Sequence, residues 1–148
     1  MIFTSISPDA FDIKNVSKDI HEMNKNIASL LSNVPPSHDI PFDVLQDIRR
    51  NGGGLLPSQP ISKHAENRII EYASKKVSVR IFSIEDPQFI YLHIHGGGHC
   101  IGAADMQDQS LEKVSKDLNC VVISVEYRLA PKNPCPAAAA DCETAALW

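Results

Sequence analysis

Along the first third of the chain, apolar residues recur with a helical period. Val16, Ile20, Met23, Ile27 and Leu30 follow one another at intervals of four and three, which traces one stripe of a helix. Asn15 or Ser17 can cap its start, and Pro35-Pro36 stops it. A second, shorter helix is predicted after Pro41, with Phe42, Leu45 and Ile48 on one side and an end at Gly52-Gly53-Gly54. Both stripes read as core or lid packing. Leu56 to Lys63 carries Pro and Ser and reads as a connection, so a division is predicted between residues 1–55 and residues 56–148.

From Glu66 the period shortens to that of strands. Asn67 to Tyr72 and Val77 to Ser83 are rich in Ile, Val and aromatic residues, with Ala73-Ser74-Lys75-Lys76 as the hairpin connection and Asp86-Pro87 as the next turn. Phe89 to Ile94 is a nearly unbroken apolar run, the pattern of a strand covered on both faces. A glycine-rich turn follows, then an amphipathic helix over Asp105–Leu118 with Leu111, Val114 and Leu118 inward, then a buried strand over Cys120–Val125. Strand, turn, helix, strand is a right-handed βαβ unit, and the fold class is α/β. The last element is a helix opened at Pro136 that carries no stop signal before Trp148.

Composition narrows the partners. With a net charge of −4 and a pI near 5.8, no basic field attracts nucleic acid or anionic lipid, which favours a small-molecule partner. No apolar run approaches the roughly 18 residues that span a bilayer. The first residues lack the basic and apolar regions of a signal peptide. Cys100, Cys120, Cys135 and Cys142 make neither a C-x-x-C pair nor a regular disulfide framework, so free thiols and a cytoplasmic location are expected.

Three glycines directly after a buried strand need a reason, because each costs backbone entropy on ordering. Without Cβ atoms, His95-Gly96-Gly97-Gly98 can fold tightly and turn its N–H groups toward a ligand. Such donors suit the oxyanion of acyl transfer, although a turn that serves only packing has the same sequence. Downstream, Glu126-Tyr127-Arg128-Leu129-Ala130-Pro131 follows the next strand, and Asn133-Pro134-Cys135-Pro136-Ala137-Ala138 opens the next helix. Together with the HGGG motif and Gly102, these blocks resemble the hormone-sensitive-lipase-like family of α/β-hydrolases, which includes carboxylesterases and acetyl esterases. The resemblance covers about Ile81 to Trp148, with Glu126 and Lys132 where the family usually has Asp and Glu.

That resemblance implies an α/β-hydrolase fold, truncated: a helical cap over residues 1–55, then the first strands of the sheet and the first βαβ unit over residues 56–148. It implies that Gly97 and Gly98 present amides to an oxyanion hole, that His95 and Gly96 support the turn, and that Tyr127 and Arg128 hold the loop beneath it. It implies a carboxylic-ester substrate, no cofactor and no metal. The nucleophile elbow, G-x-S-x-G, should come after the Pro-Ala helix, with Asp and His later. None of the fourteen serines lies in such a motif. The catalytic Ser, Asp and His are therefore expected beyond Trp148, and these residues alone are expected to be inactive. The strand before the turn would also become an unprotected edge without its neighbour, which favours aggregation.

Two other chemistries fit parts of the same stretch. His93, His95 and His99 form H-x-H-x-x-x-H, which a metal-dependent hydrolase could use. Gly96, Gly98 and Gly102 after a strand, with Glu126 ending the next, imitate a dinucleotide-binding module.

Overall fold

The four strands that the residue pattern predicts are present, within two residues of the expected bounds, and the computed structural model, which describes residues 7–52 and 60–148, adds their order. The chain forms two compact units, Met1–Asp39 and Ile40–Trp148. In the first, two short 3₁₀ turns precede helix α1 (Lys18–Ser32). Ser17 stands at its N-cap and Asn33 at its C-cap, two residues ahead of Pro35. The expected stripe is present, but it forms no core: Ile20, Met23, Ile27 and Leu30 are all more than 40% exposed. A stripe needs a second apolar surface to be buried, and period alone does not supply one.

The second unit opens with α2 (Phe42–Asn51), which Gly52 ends in a left-handed conformation at φ 73°. Gly53 and Gly54, and most of the connection expected over residues 56–63, lie outside the described residues. Strands β1 (Glu66–Tyr72) and β2 (Lys75–Phe82) then form an antiparallel hairpin. Its loop is two residues rather than four, because Ala73 and Ser74 both take positive φ (47° and 65°), as a tight primed turn demands. Lys75 and Lys76 consequently belong to the strand.

Strand β3 (Phe89–Ile94), helix α3 (Asp108–Leu118) and strand β4 (Cys120–Glu126) make the expected βαβ unit, with β3 and β4 parallel. Sheet order is β1-β2-β4-β3, so β4 is central and β3 is an edge. The expectation of a β3 covered on both faces is corrected here: Phe89, Ile90, Tyr91 and Ile94 are all exposed.

Alternation along the strands sorts the core onto two faces. Phe82, Cys120 and Val122 pack with Leu111 of α3. Val77, Val79, Ile81, Ile123 and Val125 pack with Ala138 and Ala145 of α4 (Ala137–Leu147). On the α3 face, Arg80 donates from Nε to Asp108 Oδ1 (2.7 Å), and Arg80 also reaches Asn67 Oδ1 and the Ser62 carbonyl (both 2.8 Å). Asp108 has no exposure and Arg80 has 5%. The helix expected from Asp105 begins at Asp108 instead. Residues 104–107 are turns, with the Ala104 N–H held by Glu126 and the Asp105 carboxylate by Arg50.

Candidate functional site

Parallel pairing sets Ile94 beside Val125, so the chain leaves β3 and β4 at the same end of the sheet. His95 and Tyr127 come next, both buried, with rings stacked at 4.1 Å and 11°. The Tyr127 hydroxyl donates to the His95 carbonyl (2.7 Å). Burial, with smaller contributions from Cys142 and Glu126, raises the phenol above its ordinary value, which keeps that proton in place. The Gly96 carbonyl can only accept, so His95 Nδ1 carries a proton and donates to it over 2.9 Å. His95 Nε2 is left as a buried lone pair without a partner among the described residues.

The turn itself is closed by Gly97, whose carbonyl accepts from the N–H groups of Cys100 and Ile101 (both 3.1 Å). Gly97 has φ 130°, and a Cβ there would stand 1.9 Å from the Ile101 carbonyl oxygen, so glycine is required twice over. Gly98 has φ 61° with open space around its missing Cβ. Among the described residues, neither the Gly97 nor the Gly98 N–H donates a hydrogen bond. Gly102 closes against the His95 ring, where a Cβ would lie 2.5 Å from Nδ1.

The block after β4 holds this turn from below. Ala130 N–H donates to the His99 carbonyl (2.8 Å), and Glu126 Oε2 accepts from Ala104 N–H (2.7 Å). Arg128 grips Asp141 of α4 with Nε and Nη2 (2.9 and 2.8 Å), and its own N–H donates to the same carboxylate. That contact raises the guanidinium pKa further. From the other side, α2 contributes Gln46 Nε2 to the Cys100 carbonyl (2.8 Å). Asp141, Gln46 and the carboxylate role of Glu126 were not evident from the sequence. One signal was available: Asp141 is an acid inside an Ala-rich helix, thirteen residues after an arginine.

Neither rival chemistry gains from this geometry. His93 Nδ1 is bound to Ser124 Oγ (2.9 Å) and His95 Nδ1 to Gly96. Among the described residues no three His, Cys, Asp or Glu are placed to hold a metal ion. The glycines do not open a helix either, since turns separate Gly102 from α3. A pyrophosphate at a helix N-terminus thus lacks its helix.

The site thus sits on a parallel βαβ unit with a glycine turn at the C-terminal end of its first strand. Residues 91–148 match the family model described as alpha/beta hydrolase fold. The matched segment is similar to the hormone-sensitive-lipase-like carboxylesterases within that fold. It is 31% identical over 109 residues to an arylesterase of Saccharolobus solfataricus, covering 70% of this chain and 35% of that protein. It is 34% identical over 104 residues to the esterase LipI of Mycobacterium tuberculosis, covering 63% and 31%. A hyperthermophilic esterase from Pyrobaculum calidifontis superposes with a TM-score of 0.69 at 23% identity, covering 90% of this chain and 43% of that one. The chain thus spans about a third of the length of these curated relatives.

Proposed function

We propose that this chain supplies the oxyanion-binding turn of a serine-dependent carboxylic-ester hydrolase. One observation carries the reading: Gly97 and Gly98 hold positive-φ backbone whose N–H groups find no acceptor among the described residues, beside a turn fixed on every other side. Preorganised donors of this kind stabilise the negative charge that develops on a carbonyl oxygen when an ester is attacked. Tyr127, His95 and Gly96 hold the turn's entry, and Arg128 with Asp141 holds the loop beneath it.

The nucleophile, its base and the orienting acid are not among these 148 residues, which contain no G-x-S-x-G. The 148-residue polypeptide therefore hydrolyses no ester by itself. Residues 1–55 serve as the cap segment and border the acyl side of the substrate, and residues 56–148 belong to the core. The substrate is a small-molecule ester, no cofactor enters the chemistry, and the protein works in the cytoplasm, a location that four free cysteines support. Among the described residues no helix is long and apolar enough to cross a membrane.

The glycines give a graded test. In the full-length protein, Gly97→Ala should lower kcat about a hundredfold or more while KM changes only a few-fold, because the added methyl displaces the donor pair. Gly98→Ala, which meets open space and only backbone strain, should lose less. If Gly97→Ala keeps its kcat, or if kcat falls only in step with thermal stability, the turn serves packing.

A further inference from the structure

The cavity against the glycine turn has a volume of about 340 Å³ and is lined by Arg49, His95, Gly96, Gly97, Ile101 and Met106, among others. Among the described residues no acidic one lines it, and Arg49 is its only Lys or Arg. Gln46 and Arg50, one turn apart on α2, are tied to the Cys100 carbonyl and the Asp105 carboxylate. Position 49 follows Gln46 by three residues and so neighbours it on the helix surface.

The two adjacent arginines differ in one respect. Arg50 is paired with Asp105 at 3.2 Å, which offsets its charge. Arg49 is half-buried, and among the described residues, which include all 18 Asp and Glu, none forms an ion pair with it. A guanidinium in a cavity wall with no counter-ion is free to take an anion there. Its planar fork matches a carboxylate. One unpaired positive charge matches one negative charge, so a carboxylate fits better than a phosphate dianion.

We propose that Arg49 is a specificity-determining residue that selects esters carrying a carboxylate on the acyl side. This rests on the oxyanion reading of the neighbouring glycines. The carboxylate docks on the guanidinium while the ester carbonyl reaches the glycine turn at Gly97, which shares the cavity wall with Arg49.

The test compares two esters of equal chain length, 4-nitrophenyl pentanoate and the mono-4-nitrophenyl ester of glutaric acid, on the full-length protein. In Arg49→Gln the ratio of kcat/KM for the glutarate ester to that for the pentanoate should fall about tenfold or more, the size of one charge-assisted contact. Arg49→Lys should recover part of it. Monomethyl glutarate, followed by NMR titration, should bind the wild type and lose about tenfold in affinity in Arg49→Gln. That second readout needs no turnover. An unchanged ratio and equal binding of monomethyl glutarate to both proteins overturn the proposal. Failure of Gly97→Ala to depress kcat on the pentanoate would instead overturn the oxyanion reading, and the binding result would still judge Arg49 on its own.

Discussion

Strand β4 runs through the middle of the sheet with Cys120, Val122, Ser124 and Val125 sealed from solvent, whereas its parallel neighbour β3 leaves Ile90 67% exposed. The two are similarly apolar, and they deliver the two halves of one site, His95 from β3 and Tyr127 from β4. What separates them is neighbours. β4 is paired on both sides and has α3 on one face and α4 on the other, while β3 is paired on one side only. The glycine turn therefore hangs from the weaker strand and is braced from the stronger one. Tyr127, Glu126 and the Ala130 N–H all reach across from the β4 side to hold residues that follow β3. Rigidity at the candidate site comes from β4.

The largest effect that would break this contrast is on the sealed side. Arg80 lies opposite Ser124 in the β2–β4 register, and its guanidinium meets Asp108 without access to solvent. Asp108→Ala leaves that charge buried without its counter-ion, and should cost about 3–5 kcal/mol in urea unfolding of the full-length protein. Replacing both partners, Arg80→Met with Asp108→Leu, should recover most of the loss, because the cost is desolvation rather than a missing attraction. If the single variant loses under about 1 kcal/mol, the α3 face is wet and β4 is less protected than it looks.

Much of this architecture could be read from the residues, and the failures share a cause. The period of α1 and α2, the β1–β2 hairpin and the βαβ unit are local patterns, and each element is present, with the hairpin loop two residues shorter and the start of α3 three residues later than the pattern predicts. The blocks around Gly97 and Tyr127 were legible as a pair because their separation is set by one helix and one strand. Phe89-Ile90-Tyr91-Leu92 does not mark itself as an edge, since strand order is non-local, and the expectation of an edge there comes from the family resemblance alone. Likewise Arg80, a charge between Val79 and Ile81, carries no sign of its partner Asp108, and α3 starts three residues after Asp105 because Asp105 and Asp108 are equally good openers. The hairpin connection reads as four residues rather than two because neither Ala73 nor Ser74 is the Gly or Asn that left-handed backbone favours.

A second effect, smaller, sharpens the contrast at the edge. A row of unpaired backbone groups flanked by Phe89, Ile90 and Tyr91 is a template for pairing with another chain. The 148-residue polypeptide should therefore express mostly insolubly. Ile90→Lys, a charge on that edge, should raise its soluble fraction severalfold, while the same change at sealed Val122 should abolish folding. Soluble yield and size-exclusion profiles report both. A monodisperse wild-type chain would show that β3 is already covered.

The smallest effect lies where the two strands are cross-linked. His93 of β3 and Ser124 of β4 are register partners, and the Ser124 hydroxyl spends its single proton on the Ala104 carbonyl (2.9 Å). His93 Nδ1 must then donate to Ser124 Oγ over 2.9 Å, which fixes its tautomer. Burial, partly offset by the Gln107 side chain, holds the imidazole below its ordinary value of 6.5. The sign follows: above the unfolded value both states are neutral and stability does not depend on this proton. As pH falls below 6.5 the unfolded chain takes up the proton first, and this contribution is lost through the lower folded value. His93→Asn keeps a donor for Ser124 and removes the titration. The Tm of the wild type should therefore fall more steeply than that of the variant between about pH 7 and pH 5. Parallel curves would mean that His93 is as solvated as the rest of β3, and that the polar seam between the edge and the centre is wet.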